Sequence, residues 1–373
     1  MISCFHDVTD LSTVTNNVLD WSKLERDGET PCRPVALDMR TVCESILVLL
    51  PNRDDEAEVA LMVMVAPSVP QSLYLDETYI HRILMNLLSN AIKFTRSGYI
   101  LLLVEIDAGK LIAMVRDTGS GVPPSFLPQL FEPFKQAQTR GSQRGTGLGL
   151  SITLGLLHRM QGTIEVQSKH PEAEEVEPGE TGSTFTITIP MQSSSMPQSA
   201  LSSSEPLQKI AIFHDGNPRC LEGLCLAWEK YGFEVTMVNE ISGLLDCDWK
   251  YIWADLNFLE DNPAHLQQLL DQEQWVVLVP YDTQEALERI PGILSAPNFV
   301  PLQKPLIWHT FQQRVAAATD PSRRGNVART VRFAPKVGIV DHQTQEHPEE
   351  PIAKGIVVLL VEDNPVIHVH HSP

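Results

Sequence analysis

DETYIHRILMNLLSNAIKFT, Asp76–Thr95, carries the pattern around which the first half of the chain is organised. Ile80, Ile83, Leu84, Leu87, Leu88 and Ala91 recur at helical spacing, which predicts one long amphipathic helix from Asp76 to Phe94. Asn86, Asn90 and Lys93 stand at i, i+4 and i+7, so they share a different face of that helix. Asn carbonyls are hard oxygen ligands suited to Mg²⁺, a cation that keeps several waters and contacts nucleotide phosphates. A Lys on the same stripe supplies a counter-charge for phosphate. The same pattern also fits the solvated side of any amphipathic helix, so its meaning depends on the segments around it.

Outward from this helix, YILLLVEID (Tyr99–Asp107) and KLIAMVRDTG (Lys110–Gly119) read as an antiparallel hairpin with its turn near Asp107–Lys110. Helices are predicted over Arg40–Leu50 and Ser151–Met160, and strands over Ala60–Pro67, Gly162–Ser168 and Thr184–Pro190. Strands and helices mixed with a hairpin favour an α+β sandwich over a doubly wound parallel sheet. At the start of the chain Val14, Val18, Trp21 and Leu24 form a helical stripe, ended by Gly28 and Pro31. The Ser/Pro-rich Met191–Pro206 and the polar Asp320–Pro351 read as exposed connectors, and the acidic His170–Gly182 as a loop within the first block.

Composition narrows the function. With 28 Lys and Arg against 47 Asp and Glu, the net charge of −19 argues against generic nucleic-acid or anionic-membrane binding. An anionic ligand then needs local basic groups, backbone amides or a metal. Neither Ser45–Pro51 nor Tyr99–Ile106 approaches the ~20 apolar residues of a membrane span. The N-terminus lacks the features of a signal peptide. Six scattered Cys without a CxxC read as reduced thiols, and the location expected is cytoplasmic.

Three further segments follow the helix in order. In RDTGSGVP (Arg116–Pro123), Asp117 ends an apolar strand, where a carboxylate can accept from an amino group such as adenine N6. Gly119 and Gly121 let the backbone approach closely. FEPFKQ (Phe131–Gln136) has two phenylalanines to anchor a loop, and Lys135, Arg140 and Arg144 gather positive charge suited to a triphosphate. RGTGLGLSIT (Arg144–Thr153) places Gly145, Gly147 and Gly149, with Thr146 and Leu148 between them, before a helix whose N-terminal amides favour phosphate. The spacing is GxGxG, not GxGxxG, and no Walker A sequence is present.

Together the four segments resemble the ATP-binding catalytic domain of sensor histidine kinases, within the wider family of Hsp90, gyrase and MutL ATPases. NLLSNAIKFT is similar to the N box, DTGSGVP to the G1 box, FEPFKQ to the F box, GTGLGL to the G2 box and GSTFTITIP to the terminal strand. The resemblance implies that Asn90 is the Mg²⁺ ligand, with Asn86 on the metal-water side. It further implies that Lys93 contacts phosphate, Phe94 and Phe131 line the pocket, Asp117 holds adenine N6, and Gly119, Gly121, Gly145, Gly147 and Gly149 shape pocket and lid. Hydrolytic relatives place a Glu general base one turn before the metal-binding Asn. Asn86 occupies that place and cannot take a proton from water, which favours phosphoryl transfer to a protein over hydrolysis.

NNVLDWSKLERDGETPCRPVAL resembles the end of a second dimerisation helix in hybrid, including fungal-type, kinases. This implies a homodimer in the intact protein, with the phospho-accepting His on a first helix missing from this chain. His6 lacks the rest of that motif, and His158 reads as structural. The strands KIAIFHDG, GFEVTMVN, WKYIWADL, QWVVLVPY and NFVPLQKPL suggest a flavodoxin-like domain resembling a diverged response-regulator receiver. Asp215 stands beside His214 where a second acid is expected. Asp255 takes the phosphoacceptor-like position, Lys304-Pro305 matches the last element, and Val279-Pro280 replaces the hydroxyl residue expected after the fourth strand. These departures favour a pseudo-receiver. GIVVLLVEDNPVI (Gly355–Ile367) resembles the first strand of a true receiver, with Glu362 and Asp363 as its acidic metal pair.

The expected organisation is the end of dimerisation helix 2 (1–30), the ATP-binding domain (31–190), a linker (191–206), a receiver-like domain (207–319), a disordered linker (320–351) and a truncated receiver start (352–373). The expected function is that of a two-component sensor histidine kinase using ATP and Mg²⁺, with receiver or phosphotransfer domains as partners. The alternatives are a nucleotide-binding pseudokinase and an Hsp90- or MutL-like hydrolase.

Overall fold

A computed structural model describes residues 32–50, 59–66, 68–137, 146–172, 180–191, 208–213, 218–238, 240–244, 247–272, 275–281, 284–290, 292–293, 296, 298–304 and 306–307, with residues 22 and 315 singly. The chain divides into two units, Met1–Ala328 and Arg329–Pro373, and every described residue lies in the first. Of the predicted helical stretch Val14–Leu24 only Ser22 is described, and it is helical; Gly355–Ile367, with Glu362 and Asp363, lies outside the described residues.

The first sheet takes β2 (Val59–Val65), β4 (Gly98–Asp107), β5 (Lys110–Asp117), β7 (Gly182–Pro190) and β6 (Thr163–Lys169) in that spatial order. β1 (Val35–Leu37) and β3 (Leu73–Leu75) form a separate antiparallel pair. The hairpin is present as expected: Asp107 faces Lys110, and Ala108 and Gly109 both have positive φ, the form a two-residue turn of type I′ needs. Three helices cover one face: α1 (Met39–Leu49), α2 (Glu77–Phe94) and α3 (Gly149–Arg159). Asp76 caps α2 by accepting from Tyr79 N at 3.1 Å, and Glu77 and Lys93 match the dipole at its two ends. All six apolar positions predicted from its periodicity are buried.

The second sheet runs β12 (Phe299–Gln303), β11 (Val277–Tyr281), β10 (Tyr251–Ala254), β8 (Gln208–Phe213), β9 (Phe233–Met237), all parallel. In chain order this is 2-1-3-4-5, the flavodoxin-like doubly wound arrangement. α5 (Leu256–Asp261), α6 (Pro263–Leu270) and α7 (Gln284–Glu288) follow its strands.

One element joins the two sheets. α4 (Pro218–Lys230) sets Leu224, Ala227 and Trp228 into a single apolar cluster. That cluster contains Met62, Met64, Tyr99, Leu101 and Leu103 from the first sheet and Ile210, Ile212, Trp253 and Leu278 from the second. Trp228 makes edge-on contacts with Trp253 at 6.0 Å and Phe233 at 5.1 Å between ring centroids. β4 is therefore buried on both faces from Gly98 to Val104, whereas β5 alternates buried and partly exposed. β13 (Leu306–Ile307), from the end of the second block, adds in parallel to the free edge of β2.

Candidate nucleotide-binding site

Hydrogen bonds bring the four sequence segments together. Asn86 Nδ2 donates to Gly149 O at 3.1 Å and Thr153 Oγ1 at 3.4 Å, which fixes the first turn of α3 to the middle of α2. Asn90 lies one turn further along α2, half-buried, and Lys93 lies exposed near its end. Lys93 Nζ sits 5.2 Å from the centre of the Phe94 ring, a cation–π contact. The Phe94 carbonyl accepts from Ser120 N at 3.2 Å, so the end of α2 holds the loop after β5.

Asp117 closes β5 and is only 7% exposed. Gly119 N donates to its Oδ1 at 2.8 Å. Burial pushes its carboxyl up to about 6; the N–H groups of Gly119 and Ser183 and the positive charge of Arg219 pull the other way. Thr118 locks the strand ends: its Oγ1 donates to Ser97 O at 3.0 Å and accepts from Tyr99 N at 2.9 Å. The two loop glycines are forced by contact. A Cβ at Gly119 would come within 2.5 Å of Phe94 O, and at Gly121, with φ +71°, it would collide with Lys169 O.

Phe131 is half-buried against the core, and Phe134 is 61% exposed. Phe134 N donates to Gly147 O at 2.9 Å, tying this loop to the second glycine segment. Lys135 stands 3.9 Å from Glu132, an exposed ion pair of small energetic weight. Thr146 Oγ1 accepts from Leu148 N at 3.3 Å, and Leu148 is fully buried in the core. Arg140, Arg144 and Gly145 lie outside the described residues.

The lining suits a purine nucleotide. A buried carboxylate faces a loop of glycines that leave the backbone uncovered, and Asn and Lys side chains follow along one helix. Thr95 Oγ1 is buried without a hydrogen-bond partner among the described residues, next to the Phe94 carbonyl that holds the loop. The sequence did not single out Thr118 or Ser183 as supports of Asp117. Ser183 lies in the GSTFTITIP strand, but only the Asp117–Ser183 register places it there.

In the second sheet Asp255 follows β10 and Lys304 follows β12, at the same edge of parallel strands. Asp255 caps α5, accepting from Asn257 N at 3.1 Å. Val279 and Pro280 lie inside β11, not after it: the apolar run carries the strand through Tyr281, in register with β12. His214, Asp215 and Pro305 lie outside the described residues.

Residues 75–193 match the family model described as histidine kinase-, DNA gyrase B- and HSP90-like ATPase. Sensor histidine kinase RcsC of Escherichia coli K12 is 38% identical over 191 residues, covering 50% of this chain and 19% of RcsC. Sensor protein TorS of the same organism is 32% identical over 188 residues, covering 50% and 19%. Hybrid signal transduction histidine kinase A of Dictyostelium discoideum is 35% identical over 172 residues, covering 42% and 8%. The chain thus spans a fifth or less of the length of these relatives. The crystal structure of full-length ShkA in complex with AMPPNP shares the fold, with a TM-score of 0.65 at 24% identity, over 86% of this chain and 65% of ShkA. Residues 75–193 accordingly form a domain of the histidine kinase-, DNA gyrase B- and HSP90-like ATPase family.

Proposed function

We propose that this chain is the nucleotide-binding portion of a hybrid sensor histidine kinase, which binds Mg-ATP and passes the γ-phosphoryl group to a histidine of a dimerisation helix. The observation that carries this is the convergence of Asn86, Asn90 and Lys93 on α2 with the loop after Asp117 and the glycine turn before α3. In this reading Asp117 accepts from adenine N6, and Gly119 and Gly121 admit the base edge-on. Phe94 and Phe131 flank it. Lys93, with Lys135, Arg140 and Arg144, balances the phosphates, over which the Thr146–Gly149 segment closes. Asn90 would hold Mg²⁺ by its carbonyl oxygen, and Asn86, its Nδ2 already engaged with α3, would offer Oδ1 to a metal-bound water. Bound Mg²⁺ supplies neutralisation of the phosphate charge during transfer.

Asn86 has no basic atom with which to activate water, so the hydrolase reading lacks its general base. The five-stranded block with Asp255 is read as a pseudo-receiver, and the intact protein as a homodimer serving receiver or phosphotransfer domains. The test is transfer in trans: γ-labelled ATP with this chain and a separate dimerisation domain that carries the histidine. Acid-labile label on that domain is expected. No label despite nucleotide binding would favour a pseudokinase, and steady phosphate release without acceptor a hydrolase.

A further inference from the structure

α4 runs along the back of the first sheet, and its N-terminal turn reaches the strand ends that carry Asp117. Arg219 Nη1 donates to Thr118 O at 3.1 Å, and Nη2 donates to Thr181 O. Thr118 immediately follows Asp117. Thr181 precedes Gly182 and Ser183, and Ser183 pairs with Asp117 across the sheet. One guanidinium thus bridges the two backbones that flank the buried carboxylate. Cys220 Sγ donates to Gly98 O at 2.8 Å, on the strand that Thr118 pins.

The rest of the helix is fitted along its length. Gly223 lies so close to Tyr99 and Met62 that a Cβ there would come within 2.5 Å of the Tyr99 ring. Glu222 pairs with Arg116 at 2.5 Å, Tyr231 OH donates to Val65 O at 3.0 Å, and Lys230 pairs with Glu105 at 3.7 Å. The two ends of α4 therefore engage opposite ends of β2 and β4, and only the Arg219 end adjoins Asp117.

We propose that Arg219 is a positioning residue of the nucleotide site: through it the second block holds Asp117 and its glycine loop in the adenine-binding arrangement, so nucleotide affinity depends on the seating of α4. This rests on the nucleotide-binding reading of the first block. Among the described residues, the positive charge of Arg219 acts on Asp117, against the effect of its burial. Nearby Arg116 is paired with Glu222, and Lys169 with Glu180. Since adenine N6 needs the ionised carboxylate, affinity falls as pH drops through the Asp117 titration. Removing the Arg219 cation moves that fall to higher pH.

The experiment titrates Mg-ATP and Mg-tripolyphosphate into the full chain between pH 5 and 8, for wild type, Arg219→Ala, Arg219→Lys and Lys230→Ala. Arg219→Ala should weaken Mg-ATP about tenfold, the scale of losing charge-assisted hydrogen bonds. It should raise the pH midpoint and leave tripolyphosphate binding unchanged. Arg219→Lys keeps the charge with a single-point donor, so it should fold like wild type and show an intermediate loss with little midpoint change. Lys230→Ala loosens the far end of α4 and should leave the midpoint in place. Unchanged Mg-ATP affinity and midpoint in both Arg219 variants would overturn the proposal while leaving the nucleotide site intact. Absence of Mg-ATP binding by wild type would overturn the underlying reading and the proposal with it.

Discussion

Asp117→Asn separates what this carboxylate costs the fold from what it gives the site. Burial raises its carboxyl from 3.8 to about 6, so the folded chain holds the proton more tightly than the unfolded chain. Stability attributable to this group is therefore greatest below pH 4, declines as pH rises from about 4 to 6, and stays low above. At about 1.4 kcal/mol per pH unit, the cost of holding it ionised near neutrality is about 3 kcal/mol. Asn carries no charge and keeps an acceptor for the Gly119 N–H, but offers one oxygen to the two N–H donors now shared by a carboxylate. Losing one such bond returns about 1 kcal/mol, leaving the variant about 2 kcal/mol more stable than wild type at pH 7.5. At pH 4 that advantage should vanish. The same change puts an amide N–H₂ toward adenine N6, so ATP affinity should fall about 10- to 100-fold and the pH dependence of binding near 6 should disappear. Urea denaturation at pH 4 and 7.5, with ATP titration across the same range, reads both effects. A variant less stable than wild type at pH 7.5 would show that the buried carboxylate carries no such cost, and one that binds ATP as tightly would remove Asp117 from the adenine contact.

Gly121→Ala forces a side chain at φ +71° against the Lys169 carbonyl, and should cost at least about 2 kcal/mol in urea denaturation and displace the loop that carries Gly119. Gly223→Val lifts α4 from Tyr99 and Met62 and uncovers Leu101 and Leu103. At about 1.5–3 kcal/mol per large apolar side chain exposed, it should create a surface that binds a hydrophobic dye without loss of α2 or α3 helicity.

The sequence carried much of this architecture, for identifiable reasons. α2 was legible because six apolar residues keep helical spacing, and all six are buried. The glycine loop was legible because Gly119 and Gly121 follow Asp117 directly at the end of an apolar strand, and the structure leaves no room for a side chain at either. The second layer was not read, although its signal was present. In YILLLV both parities of the strand are apolar, and ALMVMV repeats the pattern, which argues for cover on two faces. β5, with its clean alternation, shows the contrast within one hairpin. The role of Arg219 had no such signal. Its meaning comes from where α4 docks, which depends on the fit of Gly223 to Tyr99 and not on any local pattern.

The measurement that bears most directly on the account is ATP titration of wild type and Asn90→Ala with and without Mg²⁺. Mg²⁺ should strengthen ATP binding in wild type, Asn90→Ala should weaken Mg-ATP binding at least about tenfold, and the two proteins should bind metal-free ATP alike. Equal affinity of both proteins for Mg-ATP would contradict the account.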